Sequence, residues 1–290
     1  MTTENRMRFT KMEGLGNDYV YVEDFETPMR NAPEIARHVS DRHFGIGGDG
    51  LVLMGKSANA DFRMRMFNAD GSEGEMCGNA IRCVGKYLHD RGFTDKTVLT
   101  IETLAGIRTL NLTLASSKVA SVRVDMGQPI LKPQDIPVNA EGENFIDKEL
   151  VVDGTPYRAT AVSMGNPHIV IPVKSVAELD LPKIGPSFEN HHLFPKRINT
   201  EFVEVLSRQE VRMRVWERGS GETLACGTGA CATAVACALN NWTDKKLTVK
   251  LTGGELLIEW AENGMVFMSG PATIVFDGEY LLPAGVVVER

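Results

Sequence analysis

The chain has 290 residues, of which 43% are hydrophobic and 24% charged, with a net charge of −7 at pH 7. Its length sits where single cores usually split, so two domains of about 145 residues are expected of this ordinary soluble composition. The charge excludes nucleic acid as a main partner, because no basic stripe exists to neutralise phosphates. No apolar run of about 18 residues is present, so no membrane span is expected. The stretch Met1–Arg8 has no apolar h-region and carries Glu4, so no signal peptide is read and a cytoplasmic setting is expected.

In chain order, Phe9–Met12 and Tyr19–Val22 read as strands around the turn Gly14-Leu15-Gly16-Asn17-Asp18. Pro33 opens a helical pattern that runs to Arg42. Gly45-Ile46-Gly47-Gly48-Asp49-Gly50 leads into an apolar strand, Leu51–Met54. Its glycine spacing fits a dinucleotide fingerprint, but that motif needs a strand before it and a helix after. Here a helix precedes and a strand follows, so dinucleotide binding is rejected. Residues 62–67 alternate as a strand, and Asn68–Glu75 form a polar loop. Cys77 to about Asp90 is helical, closed by Arg91-Gly92. Strands follow at Val98–Thr103, Ile107–Leu114 and Lys118–Met126.

Gly127-Gln128-Pro129 marks the boundary between a first domain, 1–128, and a second, 129–276. In the second, strands are predicted near 151–163 and 168–173, a helix near 174–180, and strands at 201–206 and 210–217. Cys226 to about Asn240 is a helix with no charge on any face, which predicts a buried central helix. The helix from Cys77 carries Arg82, Lys86, His89 and Asp90, so part of one face is predicted to reach solvent. Strands close the second domain at 247–251, 255–260 and 264–268. A last strand, Thr273–Phe276, and the tail 277–290 are expected to pack back on the first domain.

The two halves repeat. Arg63-Met64-Arg65-Met66-Phe67 recurs 149 residues later as Arg212-Met213-Arg214-Val215-Trp216. Cys77-Gly78 recurs at the same offset as Cys226-Gly227, and Gly16-Asn17 as Gly165-Asn166. A constant offset over such a span is the mark of a duplicated domain.

The five cysteines, Cys77, Cys83, Cys226, Cys231 and Cys237, include no CxxC pair, which points to free thiols in a reducing compartment. The six histidines lack zinc-site spacing, so no metal is expected. The side chains of the adjacent His191 and His192 are expected to diverge in a surface loop. Cys83, Cys231 and Cys237 read as small buried hydrophobes. Cys77 and Cys226 differ. Each begins a helix after a Gly-containing loop, where unpaired N–H groups and the positive dipole end stabilise an anion. Such a position lowers a thiol pKa toward neutrality. Two such helix starts also cradle a carboxylate, with the N–H groups of Gly78, Asn79, Gly227 and Thr228 as donors. A thiolate on one side of an α-carbon and a thiol on the other would invert it without a cofactor. The loop amides Asn17, Asn68, Asn79, Asn166 and Asn199 are turn formers when taken singly. Glu217-Arg218 ends an apolar strand just before Cys226. It is either a surface ion pair or an Arg that clamps a carboxylate beside a Glu that receives an ammonium.

With these residues in view, the chain resembles the diaminopimelate epimerase family over nearly its whole length. The specific stretches are Gly14–Asp18, Phe67–Ser72, Glu75–Asn79, Gly165–His168, Glu217–Gly219 and Ala225–Gly229. The resemblance implies an α/β (α+β) fold of two pseudo-symmetric domains. Each would be a curved, mostly antiparallel sheet or barrel around a central helix, with the site in the cleft between them. It implies interconversion of LL- and meso-diaminopimelate by a homodimer, without pyridoxal phosphate or metal, in lysine and peptidoglycan-precursor synthesis. Cys77 and Cys226 match the two catalytic thiols. Asn17, Asn68, Asn166, Asn199 and Arg218 match residues that hold the distal amino-acid head. Gly78, Asn79, Gly227 and Thr228 match donors to the reacting carboxylate. Glu217 and His168 match polar groups that receive the ammonium and tune a thiol. One departure stands out: some members carry Gln where Gly50 stands, so one amide is absent here.

Three alternatives separate on the same residues. A proline or hydroxyproline racemase would share the fold and the thiol pair. Such relatives carry Cys-Gly-His at the first cysteine and lack the distal amides and arginine, whereas this chain has Cys77-Gly78-Asn79 and Arg218. A non-catalytic binder of a small acidic metabolite would not need both cysteines. A Cys77–Cys226 disulfide is read as an oxidised liability rather than the purpose of the pair.

Overall fold

The computed structural model describes residues 6–283 and 285–290. The chain divides into two compact units, one of Met1–Val124 with Pro271–Arg290 and one of Asp125–Gly270.

The first unit opens with β1 (Arg6–Gly14) and β2 (Asn17–Glu23), paired antiparallel. Leu15 and Gly16 join them at φ of 62° and 84°. Two successive positive φ values give the turn twist that a two-residue hairpin needs. α1 (Ala32–Ser40) then leads to β3 (Gly50–Gly55), which runs parallel to β2. β4 (Phe62–Asn68) pairs antiparallel with β3 and with a short β5 (Glu73–Gly74), which lies inside the stretch predicted to be loop. α2 (Gly78–Asp90) precedes β6 (Val98–Thr103), β7 (Gly106–Ala115) and β8 (Lys118–Asp125). β6 runs parallel to β4.

The second unit has the same connections. β9 (Lys148–Val152), β10 (Thr155–Ser163) and β11 (Pro167–Pro172) are followed by α3 (Leu181–Glu189) and by β12 (Asn199–Ser207), parallel to β11. β13 (Glu210–Glu217), β14 (Gly221–Thr223) and α4 (Gly227–Leu239) lead to β15 (Lys246–Leu251), parallel to β13. β16 (Gly254–Trp260) and β17 (Val266–Gly270) complete it. The 149-residue offset carries α1 onto α3 and α2 onto α4, residue for residue.

Three sequence expectations are corrected here. The helix predicted near 174–180 is absent, and α3 lies at Leu181–Glu189 instead. The carbonyls of Val176 and Leu179 both accept from Arg214 Nη1 at 2.8 Å, which ties that segment into a turn. Pro182 sits in the first turn of α3 as Pro33 does in α1. The last strand packs back on the first unit as expected from Thr273 onward, so the second unit cannot run to 276. β18 (Thr273–Leu281) is antiparallel to β1 along its length, from Glu13↔Thr273 to Arg6↔Leu281. The unit boundaries therefore fall at 124/125 and 270/271 rather than at 128 and 276. Finally, Arg82 is fully buried, so α2 does not present it to solvent. Its Nε donates to the Pro271 carbonyl at 3.0 Å, and its Nη1 to Gly78 O at 3.1 Å and Asn79 Oδ1 at 2.9 Å.

In the first unit, Val20, Val22, Leu51 and Leu53 pack against Ile35, Ala36 and Val39 of α1. On the α2 side, Tyr21 donates its hydroxyl to the Ala80 carbonyl. Burial on both faces explains why β3 is continuously apolar rather than alternating. In the second unit α4 touches β10, β11, β12, β15, β16 and β17. Its small side chains let the strands approach closely, and it is buried from Ala230 through Cys237. Among the described residues no helix is long and apolar enough to cross a membrane. Ala234→Leu should cost about 1–3 kcal/mol by overpacking this enclosed helix. Urea unfolding with retained native helix content is the check.

Candidate active site

Both singled-out cysteines cap their helices. Cys77 precedes α2 at φ −126°, ψ 120°, and its sulfur accepts the Ala80 N–H at 3.5 Å. Cys226 precedes α4 at φ −122°, ψ 110°, and its sulfur accepts the Gly229 N–H at 3.4 Å. Each sulfur thus sits at the positive end of a helix. The next two N–H groups, of Gly78 and Asn79 or of Gly227 and Thr228, have no carbonyl one turn back within the helix.

In the first unit the half-buried Cys77 thiol donates to Asn17 Oδ1 at 3.4 Å. Asn17 Nδ2 donates to Asp49 Oδ2 at 2.7 Å, which also accepts the Asp18 N–H at 3.1 Å. Arg42 bridges Asp18 and Asp49 at 2.7 and 2.9 Å, and Lys11 Nζ lies 2.6 Å from Asp18. This ionic chain holds the Asn17 amide with its oxygen toward the sulfur. Burial and the neighbouring Asp18 charge push the Asp49 carboxyl up. Burial raises Asp18 as well, but hydrogen bonds from Arg42 and Lys11 outweigh it and leave that carboxyl below its usual range. Asn68 donates to Ser72 Oγ at 3.0 Å within its own turn. Asn79 is buried, and its Oδ1 takes the Arg82 bond already described.

In the second unit Cys226 is 5% exposed, with Thr228 Oγ1 3.5 Å from its sulfur. The Glu217 carboxylate accepts from the Thr223 hydroxyl, and its charge acts on the Cys226 thiol. His168 is fully buried, with Nδ1 2.7 Å from Glu201 Oε1 and Nε2 3.0 Å from Asn166 Oδ1. Asn199 accepts the Arg218 N–H at 2.9 Å and donates to the Pro167 carbonyl at 2.8 Å. Arg218 Nη1 donates to the Lys196 carbonyl at 3.1 Å. Glu217 and Arg218 therefore turn to different neighbours instead of forming a surface ion pair.

Burial pushes the Cys226 thiol well above its usual range, and the Glu217 and Glu201 carboxylates push it the same way. The Thr228 hydroxyl and the Gly229 N–H oppose this with less effect. This corrects the expectation that the helix start takes this thiol toward neutrality. Enclosure and two carboxylates outweigh the dipole. Burial also raises Glu217, partly offset by Thr223 and Cys226.

Cys83 and Cys237 are pushed up to about 12 by burial, as inert core thiols are. No disulfide joins any of the five cysteines. His191 and His192 do not diverge, since their ring centroids are 4.2 Å apart. Among the described residues no three His, Cys, Asp or Glu side chains are grouped as metal ligands would be.

The diaminopimelate epimerase family model matches residues 9–132 and 160–275. The chain belongs to the diaminopimelate epimerase family. The diaminopimelate epimerase of Acetivibrio thermocellus is 62% identical over 274 residues, covering 94% of this chain and 98% of that one. The diaminopimelate epimerase of Desulfovibrio desulfuricans is 57% identical over 283 residues, covering 95% and 99%. The solved hydroxyproline epimerase of Agrobacterium vitis superposes with a TM-score of 0.69 at 14% identity, over 99% of this chain and 94% of that one. A phenazine biosynthesis protein of the PhzF family from Bacillus anthracis gives 0.69 at 19%, over 96% and 99%. At such identities the likeness is one of fold.

Within this diaminopimelate epimerase family fold, Cys77 has Asn17, Gly78 and Asn79 beside it and Cys226 has Glu217, Gly227 and Thr228, whereas Asn68 bonds within its own turn and Asn199 and Arg218 bond to backbone groups. Four polar groups escaped the sequence reading: Asp49, Arg82, Glu201 and Thr223. None is doubled by the repeat, whose counterparts are Ile198, Cys231, Val52 and Gly74. Glu201 left no distinct trace, since β12 carries a second glutamate at Glu204. At Gly50 a Cβ would lie 2.0 Å from the Phe67 carbonyl oxygen, so the backbone itself excludes a side chain there.

The raised thiols make an alkaline prediction. Their folded-state pKa values lie above the unfolded value of about 8.5. The stability they contribute is complete below that pH and is lost as pH rises toward about 12. Unfolding free energy should fall between about pH 9 and 12, by up to about 1.4 kcal/mol per pH unit for each thiol. Urea melts across that range are the measurement. A flat profile would contradict the assignment.

Proposed function

We propose that this diaminopimelate epimerase family member inverts one α-carbon of 2,6-diaminopimelate, interconverting the LL and meso isomers in lysine and peptidoglycan-precursor synthesis. One observation carries the reading: two thiols cap helices at matched positions of a duplicated fold, each held by its own polar neighbours. Isomerisation of this kind needs one group to take the α-proton and a second to return a proton to the opposite face. Cys77 and Cys226 are the two groups, one acting as thiolate and one as thiol. Gly78, Asn79, Gly227 and Thr228 receive the reacting carboxylate, whose charge is what makes helix starts suitable. Asn17, Asn68, Asn166, Asn199 and Arg218 hold the distal head. Asn199 does so by fixing the backbone of Arg218.

Glu217 receives the ammonium of the reacting head. In the free protein its carboxylate faces the Cys226 thiol and disfavours the thiolate. An ammonium placed there supplies the missing positive charge, so substrate binding itself eases ionisation of Cys226. Stabilisation of the carbanion falls to the bound carboxylate, and the reaction needs neither pyridoxal phosphate nor metal. The reading also carries a cytoplasmic setting, which free thiols suit, and a homodimeric assembly.

Uptake of solvent deuterium at the α-carbon, followed by NMR, tests the substrate class. Diaminopimelate should exchange and proline or hydroxyproline should not; the reverse result would transfer the reading to a racemase of the same fold. Cys77→Ala and Cys226→Ala should each lower inversion by about 10²–10⁴-fold, the scale of a lost general base or acid. Full turnover in either variant would sink the two-thiol scheme.

A further inference from the structure

Glu201 is a buried acid that the mechanism above does not use. It is fully enclosed on β12, as is His168 on the neighbouring β11. Its Oε1 lies 2.7 Å from His168 Nδ1, while its Oε2 has no hydrogen-bond partner among the described residues. Oε1 also lies 2.7 Å from the point a Cβ on Gly229 would occupy, a point 3.2 Å from the Cys226 sulfur. The carboxyl therefore stands behind the first turn of α4, close to the reacting thiol and shut away from solvent.

The hydrogen bonds leading away from it have a direction. Asn166 Oδ1 can only accept, so His168 Nε2 must carry a hydrogen to bond it at 3.0 Å. A buried carboxylate with one oxygen lacking a donor is costly unless its partner neutralises it. One proton shared between Oε1 and Nδ1 meets that need and leaves the other ring hydrogen on Nε2. Asn166 then has its oxygen committed inward, and its Nδ2 faces away from the ring as a donor. Without the acid, the ring is free to place its hydrogen on Nδ1. The amide of Asn166 would then reverse to donate into Nε2, and present an oxygen where a donor had been.

We propose that Glu201 is a positioning residue, which acts through His168 to fix Asn166 as a hydrogen-bond donor to a substrate carboxylate. The inference rests on the assignment of Asn166 to substrate made above. It also explains why a second carboxylate is kept beside Cys226, where its charge alone would hinder thiolate formation.

Two substitutions test it. Glu201→Gln keeps a donor to Nδ1, and so keeps the ring hydrogen on Nε2. Glu201→Met has similar size and no polar group. ¹⁵N NMR of His168, assigned with a His168→Gln sample, reads the ring tautomer in the substrate-free protein. Steady-state epimerisation of LL-diaminopimelate reads KM and kcat. Glu201→Gln should retain the Nε2–H tautomer and a KM within about twofold of wild type. Glu201→Met should shift hydrogen toward Nδ1 and raise KM about tenfold, the scale of one buried hydrogen bond, with a much smaller change in kcat.

An unchanged tautomer and KM in Glu201→Met would overturn the proposal. So would a Gln variant as impaired as the Met variant. Should the Met variant not fold, loss of Nε2–H in the Gln variant overturns the proposal and its retention supports it. Wild-type protein inert toward diaminopimelate would fail the functional reading, while the His168 tautomer would still decide the role of Glu201.

Discussion

A helix cannot begin without acceptors for its first N–H groups, and in both units the acceptor at the third position is a cysteine sulfur. That constraint ties chemistry to architecture. The sulfur is placed by the helix start, the helix start by the loop after a short hairpin, and the helix axis by the strands packed on it. In α4 the small side chains Ala230, Ala232, Ala234 and Ala236 allow six strands to approach, so the helix has little freedom to shift. A thiol on such a support is held in place by the packing alone.

The repeated backbone does not bring a repeated environment. Around Cys77 the nearest acceptor is a neutral amide, Asn17, whose orientation is fixed by the Lys11–Asp18–Arg42–Asp49 chain. Around Cys226 there are two carboxylates, and the sulfur is almost fully enclosed. Duplication thus preserved the position of the sulfur atom, while later divergence set what surrounds it. The two thiols occupy equivalent places and face different electrostatics. This suits a reaction in which one must hold a proton while the other does not.

Much of the fold was legible before any coordinates. The strands at Val98–Thr103 and 62–67, the buried α4, and the pairing of Cys77 with Cys226 all follow from periodicity, charge placement and the 149-residue offset. The helix expected at 174–180 lies at Leu181–Glu189. The offset itself carries Ala32–Ser40 onto Leu181–Glu189, whereas local periodicity was misled by a segment that Arg214 ties down from a distant strand. Arg82 was misread for a similar reason. A charged residue on a helix is expected at the surface, and acceptors from Gly78, Asn79 and Pro271 make its burial tolerable.

By itself the sequence determined the duplication, the two capping cysteines, the family and most of the polar residues near each thiol. These rest on local rules: spacing along the chain, helix capping and residue chemistry. Tertiary structure alone decided what each group does once enclosed. It turned Glu217 to the Cys226 thiol and Arg218 to a carbonyl, gave Asn199 two backbone partners, and set Glu201 behind His168. Those outcomes depend on strands far apart in sequence meeting at a register, and on burial, which reverses the pKa that a helix start alone would predict at Cys226.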